Sequence, residues 1–184
     1  MSDSIAAKYR SVLSAVSFVA RAHRHQLRKD RETPYAAHPF RVCLIVRQVF
    51  GMDDPEVLTA ALLHDTIEDT TTDRDDLIET FGPGVADWVA ILSKDKRLPD
   101  AEREAVYKRG LAVAPLPVKL CKLADIFDNL IDSAHLTPGQ RAKTVERSRK
   151  YLECIRVNLP DGGQHAFNLV QSLLAEVAAT VESN

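Results

Sequence analysis

Glycine is scarce in this chain, seven residues in 184, and runs of alternating β-branched residues are nearly absent. That counts against a sheet-built fold and leaves helical periodicity to decide the class. Cysteine is scarce too: Cys43, Cys121 and Cys154 lack close spacing and sit in apolar or helical surroundings. This excludes a disulfide or zinc framework and suits reduced core thiols of a cytosolic protein. No apolar stretch approaches the ~20 residues of a membrane span, and no charged-then-apolar leader opens the chain, so a cytoplasmic location is expected. Strong charge of one sign is missing as well. A net charge of −2 argues against a general binder of nucleic-acid polymers, and membrane partners are not expected. A small anionic substrate stays open, because Arg21, Arg24, Arg28, Lys29 and Arg31 cluster with only Asp30 opposing them.

What is present is a soluble-protein balance of 45% hydrophobic and 27% charged residues, with no repeat, linker or low-complexity block. Residues 1–184 are therefore expected to form a single domain. Apolar stripes predict helices from Ile5 to about Gln26 and from Phe40 to Phe50, with Pro34 and Pro39 framing a turn between them. A third runs from Pro55, capped by Asp54, through Asp69. Thr71 or Thr72 opens a fourth that ends at Gly82, and Val85 to Leu92 is a short fifth. Asp100 caps a helix to about Ala112, Val118 to Ile131 is another, Thr137 caps one to about Val157, and the last spans His165 to Val181. The expected architecture is a compact all-α bundle of eight or nine helices.

Several ionisable residues lie where an interior is expected. The apolar run from Val57 to Leu63 delivers His64, Asp65, Glu68 and Asp69 inward, an arrangement that is costly unless something neutralises it. On a helix His64 and Asp65 are about 100° apart, so both can face one ion, while Glu68 and Asp69 follow one turn later as supporting carboxylates. A solvated helix end is the plainer alternative. Against it, seven of the residues from Asp65 to Glu79 are acidic and only Arg74 is basic. Asp125 sits in the apolar segment KLADIFDN, residues 122–129, and is the natural third ligand, with Asn129 one turn on to orient it. His38, held by the following Pro39, is the best fourth candidate among the histidines. Read alone, Asp125 would suit an interhelical salt bridge and His38 a helix-start histidine. His23, His25, His135 and His165 read as structural or surface groups.

Four ordered motifs carry a resemblance: RKDxxTPYxxHP over 28–39, AALLHDTIED over 60–69, FGPxV over 81–85 and KLADxxxN over 122–129. Together they resemble the HD-domain hydrolases of the alarmone system, in particular the stand-alone small alarmone hydrolases, from about Ser17 to Tyr151. The resemblance implies a compact HD-domain helical bundle and Mn²⁺ held by His38, His64, Asp65 and Asp125. It implies that Glu68 and Asp69 position and activate the attacking water. It also implies nucleotide contacts at Arg28, Lys29, Lys96, Lys122, Asn129, Arg147 and Tyr151, with Arg28 stacking on the base. The reaction implied is hydrolysis of the 3′-pyrophosphate of guanosine tetra- or pentaphosphate to pyrophosphate and GDP or GTP.

Two departures stand out. Long bifunctional members continue KLAD with an Arg-Leu-His-Asn type of sequence, where this chain has Ile126, Phe127, Asp128 and Asn129, so neighbouring basic contacts are lost. The length also leaves no room for a synthetase or regulatory domain, so degradation without synthesis is expected. Other readings remain: an HD-domain phosphohydrolase of another nucleotide, such as the 2′-phosphate of NADPH or a cyclic nucleotide, or a non-catalytic module that senses a nucleotide.

Overall fold

Every side chain from Val57 to Leu63 is buried, and the remaining helices are arranged around that stretch. The computed structural model describes residues 5–182. In chain order these form α1 (Ile5–Lys8), α2 (Arg10–Ala22), α3 (Ala37–Leu44), α4 (Pro55–Leu63), α5 (Thr66–Asp69) and α6 (Arg74–Phe81). They continue with α7 (Pro83–Leu92), α8 (Asp100–Val113), α9 (Leu116–Ile131), α10 (Pro138–Arg156) and α11 (Gln164–Glu182). Two of the eleven are single turns, leaving nine longer helices, and no strand occurs among the described residues. The expected all-α class is the one observed. The expected domain range includes residues 1–4 and 183–184, which lie outside the described residues. No helix among the described residues is long and apolar enough to cross a membrane.

Asp54 starts α4 by accepting from the backbone N–H groups of Glu56 (2.8 Å) and Val57 (3.4 Å), with Pro55 preset for the first turn. Because α4 is apolar on all sides it needs cover on all sides, and α2, α3, α7 and α9 provide it. Each buried Val or Leu of this helix contributes on the order of 1.5–3 kcal/mol. The second central rod is α9, which packs against α3, α4, α7, α10 and α11 and carries Asp125 and Asp128 into the interior.

Several boundaries differ from the periodicity, each for a local reason. The first helix is parted at Tyr9 and ends at Ala22. Residues 26–35 then fold back as a hairpin-like loop, in which Arg28 N–H donates to the Thr33 carbonyl and Asp30 accepts from Glu32, Thr33 and the Thr33 hydroxyl. The second helix opens at Ala37, so Pro39 lies within its first turn, where a missing N–H leaves nothing unpaired, and His38 is a helical residue. Its last turn, Ile45–Val49, is π-helical and leads to Gly51 at φ +73°. Asp73, not Thr71 or Thr72, caps α6, completing a capping box with Asp76. Asp100 is the first residue of α8 and pairs with Arg103 instead of capping. Thr137 caps α10 as expected, with Gln140.

The most consequential difference is a break in the third helix. It stops at Leu63, His64 and Asp65 form a turn, and α5 is a single turn. Side chains take the carbonyls that a continuing helix would use: His64 Nδ1 bonds the Ala61 carbonyl at 2.8 Å and Thr66 Oγ1 donates to the Leu63 carbonyl at 2.7 Å. The bend re-aims Asp65, whose backbone sits at φ −101°, ψ −3°.

Candidate active site

Three elements meet at one point: α3 brings His38, the turn after α4 brings His64 and Asp65, and α9 brings Asp125. The ligand atoms of His38, His64 and Asp65 all lie within 4.8 Å of one another. Asp65 Oδ2 is 3.1 Å from His64 Nε2 and 3.4 Å from His38 Nε2. Asp125 Oδ1 closes the remaining side, 3.2 Å from His38 Nε2 and 4.0 Å from His64 Nε2.

Both imidazoles are fixed through the nitrogen that faces away. His64 Nδ1 meets a carbonyl, which can only accept. His38 Nδ1 meets Asp128 Oδ2 at 2.6 Å, and that carboxylate already accepts from Arg41 Nε and Nη2 at 2.6 and 3.0 Å. Each Nδ1 therefore carries a proton, and each Nε2 faces the shared point, where a neutral ring would offer its lone pair to a cation. The two Nε2 atoms stand 3.2 Å apart. Two lone pairs at that distance, faced by two carboxylates, require positive charge between them. Burial pushes both imidazole pKa values down, yet Asp125, Asp128 and Asp65 around His38, and Asp65 beside His64, outweigh it and raise both. The same surroundings hold Asp65 and Asp125 below the usual carboxylate range against burial. A donor set of two imidazole nitrogens and two carboxylates, with orienting groups behind each ring, fits a divalent cation.

Tyr35, Glu68 and Asp69 border this cluster. Tyr35 Oη donates to Asp65 Oδ2 at 2.6 Å and lies 3.3 Å from Asp69 Oδ2. Burial and the Asp65 charge push its pKa up, so it stays a donor. Glu68 accepts from the Lys94 backbone N–H at 2.9 Å, and burial raises its pKa above the ordinary value. Asp69 is held by Lys96 Nζ at 2.8 Å, while the Gln26 side chain bonds the Asp69 carbonyl at 2.6 Å.

A cleft of about 230 Å³ opens beside the cluster, lined in part by Arg28, Lys29, Lys122, Asn129, Arg147 and Tyr151. Lys122 Nζ bonds Asp125 Oδ2 at 2.7 Å, and Asn129 donates to the other Asp125 oxygen. Arg28 is buried and tied by Nη2 to Asp132 at 2.6 Å, so at the cleft wall its guanidinium is part of an ion pair. Lys96 does not line this cleft; more than half exposed, it braces the 66–69 turn. Among the other histidines, His23 is buried, stacks on Tyr35 at 4.8 Å and bonds Gln26, while His25, His135 and His165 are exposed.

Groups that the sequence reading did not place also build the site. Asp128 and Arg41 orient His38, Tyr35 ties Asp65 to Asp69, and Lys94 and Tyr107 form the wall beyond Lys122, with Glu104 paired to Lys94 from outside the cleft lining. Asp128 was visible in principle: it lies in the same apolar segment as Asp125, where an acid needs a partner, and Arg41 follows His38 by three residues.

The HD-domain model matches residues 15–155, most of the described chain. The chain belongs to the HD-domain family. Among its relatives, the guanosine-3′,5′-bis(diphosphate) 3′-pyrophosphohydrolase MESH1 of Homo sapiens is 44% identical over 143 residues, covering 77% of this chain and 79% of that protein. The enzyme of the same name from Danio rerio is 41% identical, covering 77% and 78%. A solved structure of a metazoan orthologue of SpoT, described as hydrolysing ppGpp, superposes with a TM-score of 0.78 at 30% identity, covering 92% of this chain and 94% of that one. The adjacent His64 and Asp65 lie within the matched residues, and the fit of the donor set to a divalent ion accords with that family.

Proposed function

We infer that this protein is a guanosine-3′,5′-bis(diphosphate) 3′-pyrophosphohydrolase, releasing pyrophosphate and GDP or GTP, with Mn²⁺ held by His38, His64, Asp65 and Asp125. The observation that carries this reading is the pair of Nε2 atoms 3.2 Å apart, both turned toward two carboxylates and bordered by a cationic cleft. The likeness to enzymes named for this activity gives the substrate class. When bound, the ion polarises the phosphoryl group and makes water more acidic.

The side chains do the rest. Glu68, with its pKa raised by burial, accepts the proton of the attacking water, and Asp69, steadied by Tyr35 and Lys96, orients that water. Lys29, Lys122 and Arg147 offset the phosphate charge, Arg28 and Asn129 face the nucleoside, and Tyr151 closes the cleft. Residues 1–184 act as one unit in this reading. We place the protein in the cytoplasm, where its three free thiols would stay reduced.

The test is incubation of purified protein and Mn²⁺ with guanosine tetraphosphate. Pyrophosphate and GDP should appear in equal amounts, and absence of release from protein shown by metal analysis to be loaded would overturn the assignment.

A further inference from the structure

Two of the contacts expected for the substrate, Lys122 and Tyr151, share one wall of the cleft with Lys94 and Tyr107, which no expected contact includes. Lys94 Nζ lies 5.2 Å from the Tyr107 ring centroid and 5.3 Å from that of Tyr151. Lys122 Nζ lies 5.3 and 4.7 Å from the same rings, which meet edge to face at 5.6 Å. Lys122 is neutralised by Asp125, and the charge of Lys94 is met by Glu104. Its carboxylate pairs with Lys94 Nζ at 2.6 Å and accepts from Tyr151 Oη at 3.0 and 3.2 Å.

That arrangement leaves a donor over. Tyr107 Oη is buried and lines the cleft facing Lys122, whose ammonium donates toward it, so that its own hydrogen has no acceptor among the described residues. A carboxylate has two oxygens, and those of Glu104 are already engaged; a phosphate offers a third and more charge. Glu104 is also the outermost member, with a side chain 36% exposed against 16% for Lys94. Lys122, in turn, bonds Asp125 directly, so the wall begins one side chain away from the cation cluster.

We propose that Lys94, Tyr107, Tyr151 and Lys122 form an anion subsite for a terminal phosphate of the substrate, and that Glu104 fills it in the free protein and is displaced on binding. The proposal rests on the pyrophosphohydrolase reading for the identity of the phosphate. Tyr107 donates to the entering phosphate, and the charge that Glu104 neutralised is handed to the ligand.

The experiment is calorimetric titration of the Mn²⁺-loaded protein with inorganic pyrophosphate and, separately, with GDP, for wild type, Glu104→Gln and Tyr107→Phe, each checked by its thermal unfolding. Glu104→Gln should bind the responding ligand about fivefold more tightly, the scale of a part-exposed ion pair. Tyr107→Phe, which keeps the ring packing, should bind it about tenfold more weakly. A response confined to pyrophosphate supports the subsite and gives it the group released from the 3′ side; one confined to GDP supports it and gives it the 5′ diphosphate. Unchanged affinities in folded variants, or weaker binding by Glu104→Gln, would overturn it and leave a structural ion pair. Variants that show both shifts, together with wild-type protein that does not turn over guanosine tetraphosphate, would sink the hydrolase reading and leave the subsite standing.

Discussion

Asp128 is 2% exposed, and its two oxygens serve His38 on one side and the Arg41 fork on the other. Replacing it by Asn removes the charge that fixes the His38 tautomer and leaves Arg41 half paired. Metal affinity should then fall ~10–100-fold, measured by chelator competition, with the helical content retained. Glu68 behaves differently, since no cluster atom depends on it. Glu68→Gln should depress kcat by about 10²-fold or more while metal stoichiometry stays at the wild-type value. A third residue gives a pH signature. Burial, then Arg147 and Arg28, lowers the Lys29 pKa below the ordinary lysine value. As pH rises Lys29 sheds its proton before an ordinary lysine does, so a phosphate contact there is lost early. KM should climb on the alkaline side ahead of the normal lysine range, and Lys29→Arg should flatten that climb.

At the scale of the element, helix ends decide where the chemistry sits. Lys119 on α9 is fully buried, and its ammonium donates to the carbonyls of Ala112, Ile155 and Val157, which end α8 and α10. It thus anchors both helices that carry Glu104, Tyr107, Arg147 and Tyr151. Lys119→Met keeps the stem but strands those carbonyls, and should cost on the order of 2–4 kcal/mol, read as a lower urea midpoint at unchanged slope. Helix cores were legible in the sequence, because α4 and α9 declare themselves by apolar runs. Their ends were less so. The stop at Leu63 depends on His64 and Thr66 bonding carbonyls three residues back, and an unbroken apolar-then-acidic pattern gives no sign of it. Asp125 was legible as a buried acid, whereas the Lys94–Glu104 pair joins residues on two different segments and only packing brings them together.

For the molecule as a whole, the cation cluster lies where α3, α4 and α9 converge, so ion binding and folding are linked. Mn²⁺ at about a hundred times its dissociation constant should stabilise the native state by ~2.7 kcal/mol. That is a rise in Tm of roughly 5–10 °C for a chain of this size, seen by scanning fluorimetry and abolished in Asp65→Ala. The same convergence ties Arg28, Asp132, Arg41 and Asp128 into one string of alternating charges that ends on His38. Such a string constrains how the sequence can drift. Losing Arg41 takes the guanidinium fork from the buried Asp128, and losing Asp128 leaves Arg41 with Asp132 alone, while losing both keeps the net charge of the string. A double-mutant cycle across the pair should show strong coupling, ~1 kcal/mol or more. The two positions are accordingly expected to be exchanged together during descent, with a valley of unstable intermediates between this solution and a neutral one.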